Sequence, residues 1–220
     1  MRVVVYVEGP SDKLAMETLL TPLIVRKRNQ GIRIEFFEVT RGNRKKTLVT
    51  QVPRKAAQIL LNDPESEVVV MPDLYPGNIG FPHISSGELI DGVKNVFSGV
   101  LMEKTGECDE RLIHRFHVFC FKHDLEVLLL AAHESLYKYL HPCSPPSWNK
   151  WRKPVENQNH NNPPKRVIEC LFHECTRRYT GTYDTPLVLN AADYQIISRR
   201  CPQCFKPFVD FLESLQGFSP

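Results

Sequence analysis

Short apolar runs alternate with amphipathic stretches along the chain, and this alternation predicts the order of its strands and helices. Runs rich in β-branched and aromatic residues predict strands at residues 3–7, 32–39, 67–71 and 116–121. The segments between these strands have apolar residues at helical spacing. Because strands that are joined through helices pair in parallel, the pattern predicts an α/β fold with a parallel sheet flanked by helices.

The helical segments and the length together predict one domain with three parts. Helices are expected from residue 13, over 53–61, 88–101, 124–132, 167–176 and 205–215. A chain of 220 residues fits a single domain, here divided into an α/β core over 1–141, an excursion over 142–164 and a helical C-terminal extension over 165–220. The excursion has six prolines and little periodicity, so it is either disordered or folded over the site.

Composition narrows the class of protein. The sequence contains neither a run of about 18 apolar residues nor a signal-peptide pattern, so we expect a cytoplasmic protein without a membrane-spanning helix. Seven irregularly spaced cysteines indicate reduced thiols rather than a disulfide framework. With a net charge of only +3, a nucleic-acid partner would have to be bound by a local basic patch.

Acidic side chains follow three of the predicted strands. Glu8 and Asp73 come after the first and third strands, and Glu126 follows the fourth. Because the carboxyl ends of parallel strands meet at one edge, these oxygens predict a site for Mg²⁺ or Mn²⁺, with Asp12 as a further ligand. The corresponding chemistry is phosphoryl transfer, with a carboxylate as general acid or base. The alternative is that Glu8 and Asp12 only favour a helix N-terminus and Asp73 only starts a turn.

Basic side chains stand near the same edge and could bind phosphate. The candidates are Arg41, Arg44, Lys45 and Lys46 after the second strand, Lys122 after the fourth, and Lys165 and Arg166 at a helix start. Such contacts would give salt-dependent affinity for a nucleic-acid backbone with little sequence choice. Cations at a helix start oppose its dipole, so Lys165 and Arg166 are expected to face a phosphate or an acid. The alternative for each cation is a solvated surface charge.

One histidine and one cysteine pair complete the candidates. His123 adjoins the acids after the fourth strand. It could be a general acid, a hydrogen-bond donor to phosphate or a structural partner of a carboxylate. Cys201 and Cys204 have zinc-like spacing, but no second pair at a standard distance supports zinc. Trp148 and Trp151, in the excursion, could stack on bases, although packing on the body is the expected use.

Several stretches carry a resemblance to a known class. Residues 5–12, Val-Tyr-Val-Glu-Gly-Pro-Ser-Asp, resemble the opening of Toprim domains, the catalytic fold of primases, topoisomerases and overcoming-lysogenisation-defect nucleases. The chain as a whole resembles a bacterial Toprim-like family of unknown function through residues 41–46, 73–75, 80–82, 123–129, 163–166 and 201–202.

The resemblance implies that the protein is a Mg²⁺-dependent nuclease. It also implies that this nuclease is the effector of a phage-defence locus and acts with an ATPase partner. Toprim domains carry Asp-x-Asp after the third strand, whereas Tyr75 stands at the second position here. Tyrosine supplies no carboxylate, so Glu126 is expected to replace that ligand. The alternative is a non-catalytic Toprim-fold subunit that binds nucleic acid or an ATPase. An oligomer is compatible with either function.

Overall fold

Four parallel strands form the centre of the protein. The computed structural model describes residues 1–40, 42–141, 153–158 and 161–217. The strands are β1 (Arg2–Val7), β2 (Arg33–Glu38), β3 (Ser66–Met71) and β4 (Phe116–Val118), in the order β2-β1-β3-β4. Val7 is level with both Glu38 and Met71, so three strands end at the same edge of the sheet. The predicted α/β class, with a parallel sheet flanked by helices, is confirmed.

Helices make up most of the rest of the described chain. Those before β4 are α1 (Pro10–Leu19), α2 (Thr21–Asn29), α3 (Arg44–Thr50), α4 (Val52–Asn62), α5 (Ser86–Thr105) and α6 (Glu110–His114). Those after β4 are α7 (Val127–Ala131), α8 (His133–Leu140), α9 (Pro164–Glu174), α10 (Gly181–Asn190), α11 (Tyr194–Arg200) and α12 (Phe205–Ser214), with a 3₁₀ turn at Val155–Asn157.

The sheet is buried on both faces. Val3 and Val5 of β1 belong to one hydrophobic cluster, and Val4 between them belongs to another. Successive side chains of a strand point to opposite faces, which explains why β1 is an uninterrupted apolar run. The Val4 cluster is covered by α4 and α5, while the Val3 cluster contains residues of α1, α7 and the C-terminal helices. The C-terminal extension is therefore part of the same core as β1.

Three local predictions about the elements differ from the structure. Residues 44–46, part of the basic stretch 41–46 expected as a loop after the second strand, begin α3, because the Asn43 side chain accepts the backbone N–H of Lys46 and caps the helix. The helix expected from Asp124 begins at Val127, since the Val127 N–H bonds the Asp124 carbonyl in a tight turn. The fourth strand ends at Val118, and only a single bridge, between Asp73 and Phe121, continues its pairing.

Much of the predicted excursion lies outside the described residues, including Trp148 and Trp151. In its described part, Val155 and Glu156 are buried, and Val155 joins the β1 core. The division into core, excursion and extension stays a prediction. In the described ranges, every helix is too short or too polar to cross a membrane.

Candidate active site

The ends of β1 and β3 are joined by a carboxylate. Glu8 follows β1 directly, and its Oε1 accepts the backbone N–H of Asp73 at 3.0 Å. This bond spans the loops that leave two adjacent strands, so it fixes Glu8 against the backbone that carries Asp73. Both side chains are partly buried at the sheet edge. The Glu8 side chain and the Asp73 backbone thus meet at the sheet edge, while the role of the two acids stays a prediction.

The third acid lies at the start of α1. Gly9 precedes this helix in an extended conformation, and its backbone N–H donates to Asp12 Oδ2 at 2.8 Å. A side chain at residue 9 would place its Cβ 3.2 Å from Arg44 Nη1 and 3.5 Å from Asp12 Oδ2. Arg44 therefore lies over the backbone of Gly9, beside Asp12. This contact brings one of the predicted phosphate-binding cations to the edge of the acidic site.

Glu126 enters the site from the turn between β4 and α7. Its Oε1 accepts a hydrogen bond from Tyr179 Oη at 3.1 Å, and the same hydroxyl lies 2.6 Å from Thr185 Oγ1. A Cβ on Gly181 would lie 3.8 Å from Glu126 Oε1 and 3.8 Å from Ser11 Cβ. The start of α10 thus packs closely between Glu126 and α1. Tyr179 and Thr185 were not among the predicted site residues, because a contact between the extension and the strand-four turn has no signal in their local sequence.

The acids influence one another's protonation. Burial, together with the smaller effects of the Asp12 and Asp124 charges, raises the pKa of Glu8 to about 7, against the opposing effects of the Asp73 N–H and Lys45. Burial first, then the charges of Glu8, Asp12, Asp124 and Glu126, hold the pKa of Asp73 well above its ordinary value. Burial also raises the pKa values of Asp12 and Glu126, and Asp124 adds to both shifts. Mutual repulsion of this kind marks a cluster of carboxylates.

Asp124 is the acid that the sequence prediction missed. Its charge raises the pKa of Glu8, Asp12, Asp73 and Glu126, so it lies near all four acids. Its position in the sequence predicts the start of the helix over 124–132. The signal that could have identified it is its spacing, since it stands two residues before Glu126 in the turn after β4.

The donor chemistry of this cluster fits a hard divalent cation. Every member offers carboxylate oxygens, the ligands that Mg²⁺ and Mn²⁺ prefer. A bound cation would also relieve the repulsion that raises the pKa values of the acids. Among the side chains that the structure describes, no three His, Cys, Asp or Glu converge as closely as ligands of one ion would. Metal binding at Glu8, Asp12, Asp73 and Glu126 stays a prediction, to which Asp124 is added.

Lys45 is a buried lysine beside the first two acids. Its side chain is 4% exposed, and Nζ donates to the backbone carbonyls of Leu74, at 2.6 Å, and Pro76. Burial lowers its pKa, while the charges of Glu8 and Asp73 raise it. Lys45 therefore holds the loop after Asp73 and places a positive charge inside the acidic site. A surface contact with a phosphate backbone does not fit this burial.

The other predicted cations lie at different distances from the acids. Lys165 is near enough to Glu126 for its charge to lower the pKa of that carboxyl, whereas Arg166 Nη1 bonds the Asn161 carbonyl at 3.1 Å. Lys46 is exposed on α3, and Lys122 is partly exposed after β4. Arg41 lies outside the described residues. Phosphate binding by these groups stays a prediction.

His123 is buried among aromatic and backbone groups. It is 4% exposed, its Nε2 lies 2.9 Å from the Gln158 carbonyl, and its ring stacks on Tyr75 with centroids 5.4 Å apart. Since a carbonyl only accepts, Nε2 carries the proton in this bond. Tyr75, at the position of the second Toprim acid, thus packs against His123. This environment favours a structural use of the histidine.

The cysteine pair at Cys201 and Cys204 is part of the protein core. Cys201 and Cys204 are buried, and burial raises the pKa of both thiols. The backbone N–H groups of Gln203 and Cys204 donate to the carboxylate of Glu156, at 2.8 and 2.7 Å. Glu156 therefore anchors the Cys-Pro-Gln-Cys turn to the described end of the excursion.

The geometry defines an α/β protein with a carboxylate cluster at the carboxyl edge of a parallel sheet. The chain belongs to the family described as Domain of unknown function (DUF4276), whose model matches residues 7–213. The prediction that the chain belongs to a family of unknown function is thereby confirmed, while the family's relation to Toprim domains and its place in phage-defence loci stay predictions. No curated protein matches the chain.

Two solved structures are similar to the chain. Both show the C-terminal region of the OLD protein of Xanthomonas campestris pv. campestris, phased with iodine in one case and with mercury in the other. The first is 12% identical, covers 96% of this chain and 95% of its own, and has a TM-score of 0.43. The second is 11% identical, covers 96% of both chains, and has a TM-score of 0.42. At these values the likeness supports no conclusion about the site or the activity.

Proposed function

We propose that the protein is a metal-dependent nuclease, or a related phosphoryl-transfer enzyme, of the Toprim type. The observation that carries this proposal is the carboxylate cluster at the sheet edge, where Glu8 Oε1 accepts the Asp73 N–H, and where burial and the charges of neighbouring acids, Asp124 among them, raise the pKa values of Glu8, Asp12, Asp73 and Glu126. Concentrating negative charge in a partly buried site is unfavourable for stability, and perturbed acids of this kind occur chiefly where chemistry requires them.

The residues around the cluster suit phosphodiester hydrolysis. With a pKa of about 7, Glu8 exchanges a proton near neutral pH, as a general base for an attacking water or a general acid for a leaving oxygen must. The buried ammonium of Lys45, close to Glu8 and Asp73, favours binding of an anionic group there. A divalent cation held by the carboxylates would supply charge neutralisation at the phosphoryl group and acidify a bound water.

Nucleic acid is the proposed substrate, and an ATPase the proposed partner in anti-phage defence. Support for the substrate comes from the exposed cations Arg44, Lys46 and Lys165 around an otherwise acidic site. Support for the partner comes only from the resemblance of the sequence to Toprim-like proteins. Both proposals can be tested in one assay.

The test is cleavage of mixed DNA and RNA substrates in Mg²⁺ or Mn²⁺, with and without the ATPase. Glu8→Gln and Asp73→Asn keep the shapes of the two acids, and Glu169→Gln removes an exposed acid from α9 as the control. Cleavage that needs metal and falls at least about 100-fold in the first two variants alone would support the enzyme. Folded proteins that neither cleave nor bind metal in calorimetry would contradict it.

One observation favours a second candidate, a non-catalytic binding or regulatory subunit. Tyr75 occupies the position of the second Toprim acid and stacks on the buried His123, so this part of the site is packed with rings. If this candidate is correct, the wild-type protein and Glu8→Gln would bind nucleic acid or the ATPase with equal affinity. Neither protein would cleave the substrates.

A further inference from the structure

An open groove of about 450 Å³ lies between the start of α3 and the loop after β3. Its polar lining consists of Asn43, Lys46 and Asn78, and its apolar lining of Ile79, Phe81 and Pro82. The volume is in the range of about 300–1,000 Å³ found for pockets that hold small ligands. Within the described chain, the lining contains no carboxylate, in contrast to the neighbouring acidic site.

The polar lining offers hydrogen-bond donors. Asn43 Oδ1 accepts the N–H of Lys46 at 3.0 Å, and Asn78 Oδ1 accepts the N–H of His83 at 2.9 Å. Because these oxygens are engaged by backbone donors, the free side of each amide is its NH₂ group. The Lys46 ammonium adds three further donors and a positive charge. A ligand that meets two amide donors and an ammonium must itself be an acceptor, and an anion fits best.

The walls of the groove are held in place by packing. A Cβ on Gly80, whose φ is +90°, would lie 2.6 Å from Val49 Cγ2, so the loop backbone rests directly on α3. The Phe81 ring packs on Gly92 of α5, where a Cβ would lie 2.0 Å from its Cε2. The loop that forms the apolar wall of the groove is therefore anchored on both α3 and α5.

The groove adjoins the carboxylate cluster along both of its segments. Asn43 is followed at once by Arg44, which lies over Gly9 beside Asp12. The loop that carries Asn78 is fixed by Lys45, whose Nζ bonds the Leu74 and Pro76 carbonyls just after Asp73. A strand bound at the acids would thus have the groove beside it, on the side of Arg44 and of the loop after Asp73.

We propose that this groove is a substrate subsite, which binds a backbone phosphate of the nucleic-acid strand through Asn43, Lys46 and Asn78. The adjoining sugar and base lie against Ile79, Phe81 and Pro82. This inference rests on the proposed function, because it places the phosphate on the strand that the acidic site cleaves. The ligand chemistry, a phosphodiester-linked nucleotide, is common to DNA and RNA.

The test is fluorescence anisotropy with labelled single-stranded DNA and RNA oligonucleotides, in EDTA so that no cleavage occurs. Asn43→Asp keeps a helix-capping oxygen, and Asn78→Asp tolerates the left-handed φ of +59° and keeps the acceptor for His83 N–H. Each variant replaces an amide donor with a negative charge. Asn95→Asp, on the exposed side of α5, is the matched control. Lys46→Gln is paired with Lys138→Gln on α8.

We expect both groove aspartates to weaken binding of at least one oligonucleotide by about tenfold or more, because they bring a negative charge to a phosphate. Lys46→Gln should lower the slope of log affinity against log salt by about one. The controls should bind like wild type, and equal melting temperatures would exclude misfolding. Groove variants that bind DNA and RNA as tightly as their controls would overturn the proposal, as would a wild-type protein that binds neither.

Parallel cleavage assays separate this proposal from the proposed function. Binding that depends on Asn78 and Lys46, without cleavage by the wild-type protein under any condition, would retain the subsite and reject the nuclease. Cleavage that needs Glu8 but is unchanged by Asn43→Asp, Asn78→Asp and Lys46→Gln would retain the nuclease and overturn the subsite.

Discussion

Glu8 Oε1 accepts the backbone N–H of Asp73 at 3.0 Å, which ties the end of β1 to the segment that follows β3. A glutamine could accept the same bond, so the contact alone does not require a charged residue. The carboxylate carries a cost that glutamine would not, because burial and the charges of Asp12 and Asp124 raise its pKa to about 7.

Glu8→Gln should make the metal-free protein more stable at high pH and not at low pH. The pKa of Glu8 rises from its ordinary 4.5 to about 7 on folding, so the protonated form is favoured in the folded state. Its stabilising contribution is complete below about pH 4.5 and is lost as the pH rises through 7. The variant should therefore exceed wild type by up to roughly 3 kcal/mol at pH 8 in urea unfolding. Parallel pH profiles for the two proteins would contradict the shift.

Lys45→Met and Lys46→Met should have very different effects, although the residues are neighbours. Lys45 is buried and bonds two carbonyls, whereas Lys46 is exposed on the same helix. Methionine fills a similar volume but leaves the Leu74 and Pro76 carbonyls without the ammonium. We expect a loss of about 3 kcal/mol for Lys45→Met and less than about 0.5 kcal/mol for Lys46→Met in urea unfolding. Equal losses would show that Lys45 does not hold the loop.

The contrast between these lysines shows where sequence patterns stop being informative. Strand positions could be predicted because β1 and β3 are buried on both faces, which makes them short apolar runs. The acids at their ends could be predicted from parallel pairing. Nothing in residues 41–46 distinguishes the lysine that turns inward from the one that stays exposed, because the carbonyls that Lys45 bonds come from a loop about thirty positions away.

The partners of Glu126 could not be predicted for a similar reason. Tyr179 is 53 positions away in sequence, and its contact depends on how α10 packs on α1. By contrast, Asp124 was available from spacing alone and was overlooked because an acid at a helix start has a structural explanation. Local periodicity thus predicts the strands and helices. Side chains that reach the site through tertiary packing can be identified only from the structure.

Gly92→Ala should destabilise the protein even though alanine favours helices. A Cβ at Gly92 would lie 2.0 Å from the Phe81 ring, so the ring and its loop would have to move. We expect a net loss of about 1–3 kcal/mol in urea unfolding, as for other overpacked sites. Gly99→Ala in the same helix is the control, because a Cβ there would meet nothing within 4 Å. This variant should raise the free energy of unfolding by up to about 1 kcal/mol. A higher free energy of unfolding in both variants would show that the Phe81 ring moves aside without cost.

Tyr179→Phe should alter the ionisation of Glu126. The Tyr179 hydroxyl has one proton, which it donates to the Glu126 carboxylate at 3.1 Å, so the Thr185 hydroxyl donates to Tyr179. This bond lowers the pKa of Glu126 against the stronger effect of burial. Phenylalanine keeps the ring but removes the donor, so the pKa of Glu126 should rise further. The free energy of unfolding above that pKa should fall by about 1 kcal/mol.

The measurement is an NMR titration of the Glu126 side-chain carboxyl, with urea unfolding of the same proteins. Tyr183→Phe is the matched control, because Tyr183 is on α10 and its side chain is 66% exposed. An unchanged Glu126 titration in Tyr179→Phe would show that the hydroxyl does not bond the carboxylate in solution. A raised pKa in Tyr179→Phe alone would establish that a residue of the C-terminal extension tunes an acid at the end of the sheet. The extension would then act on the site's chemistry as well as on the core.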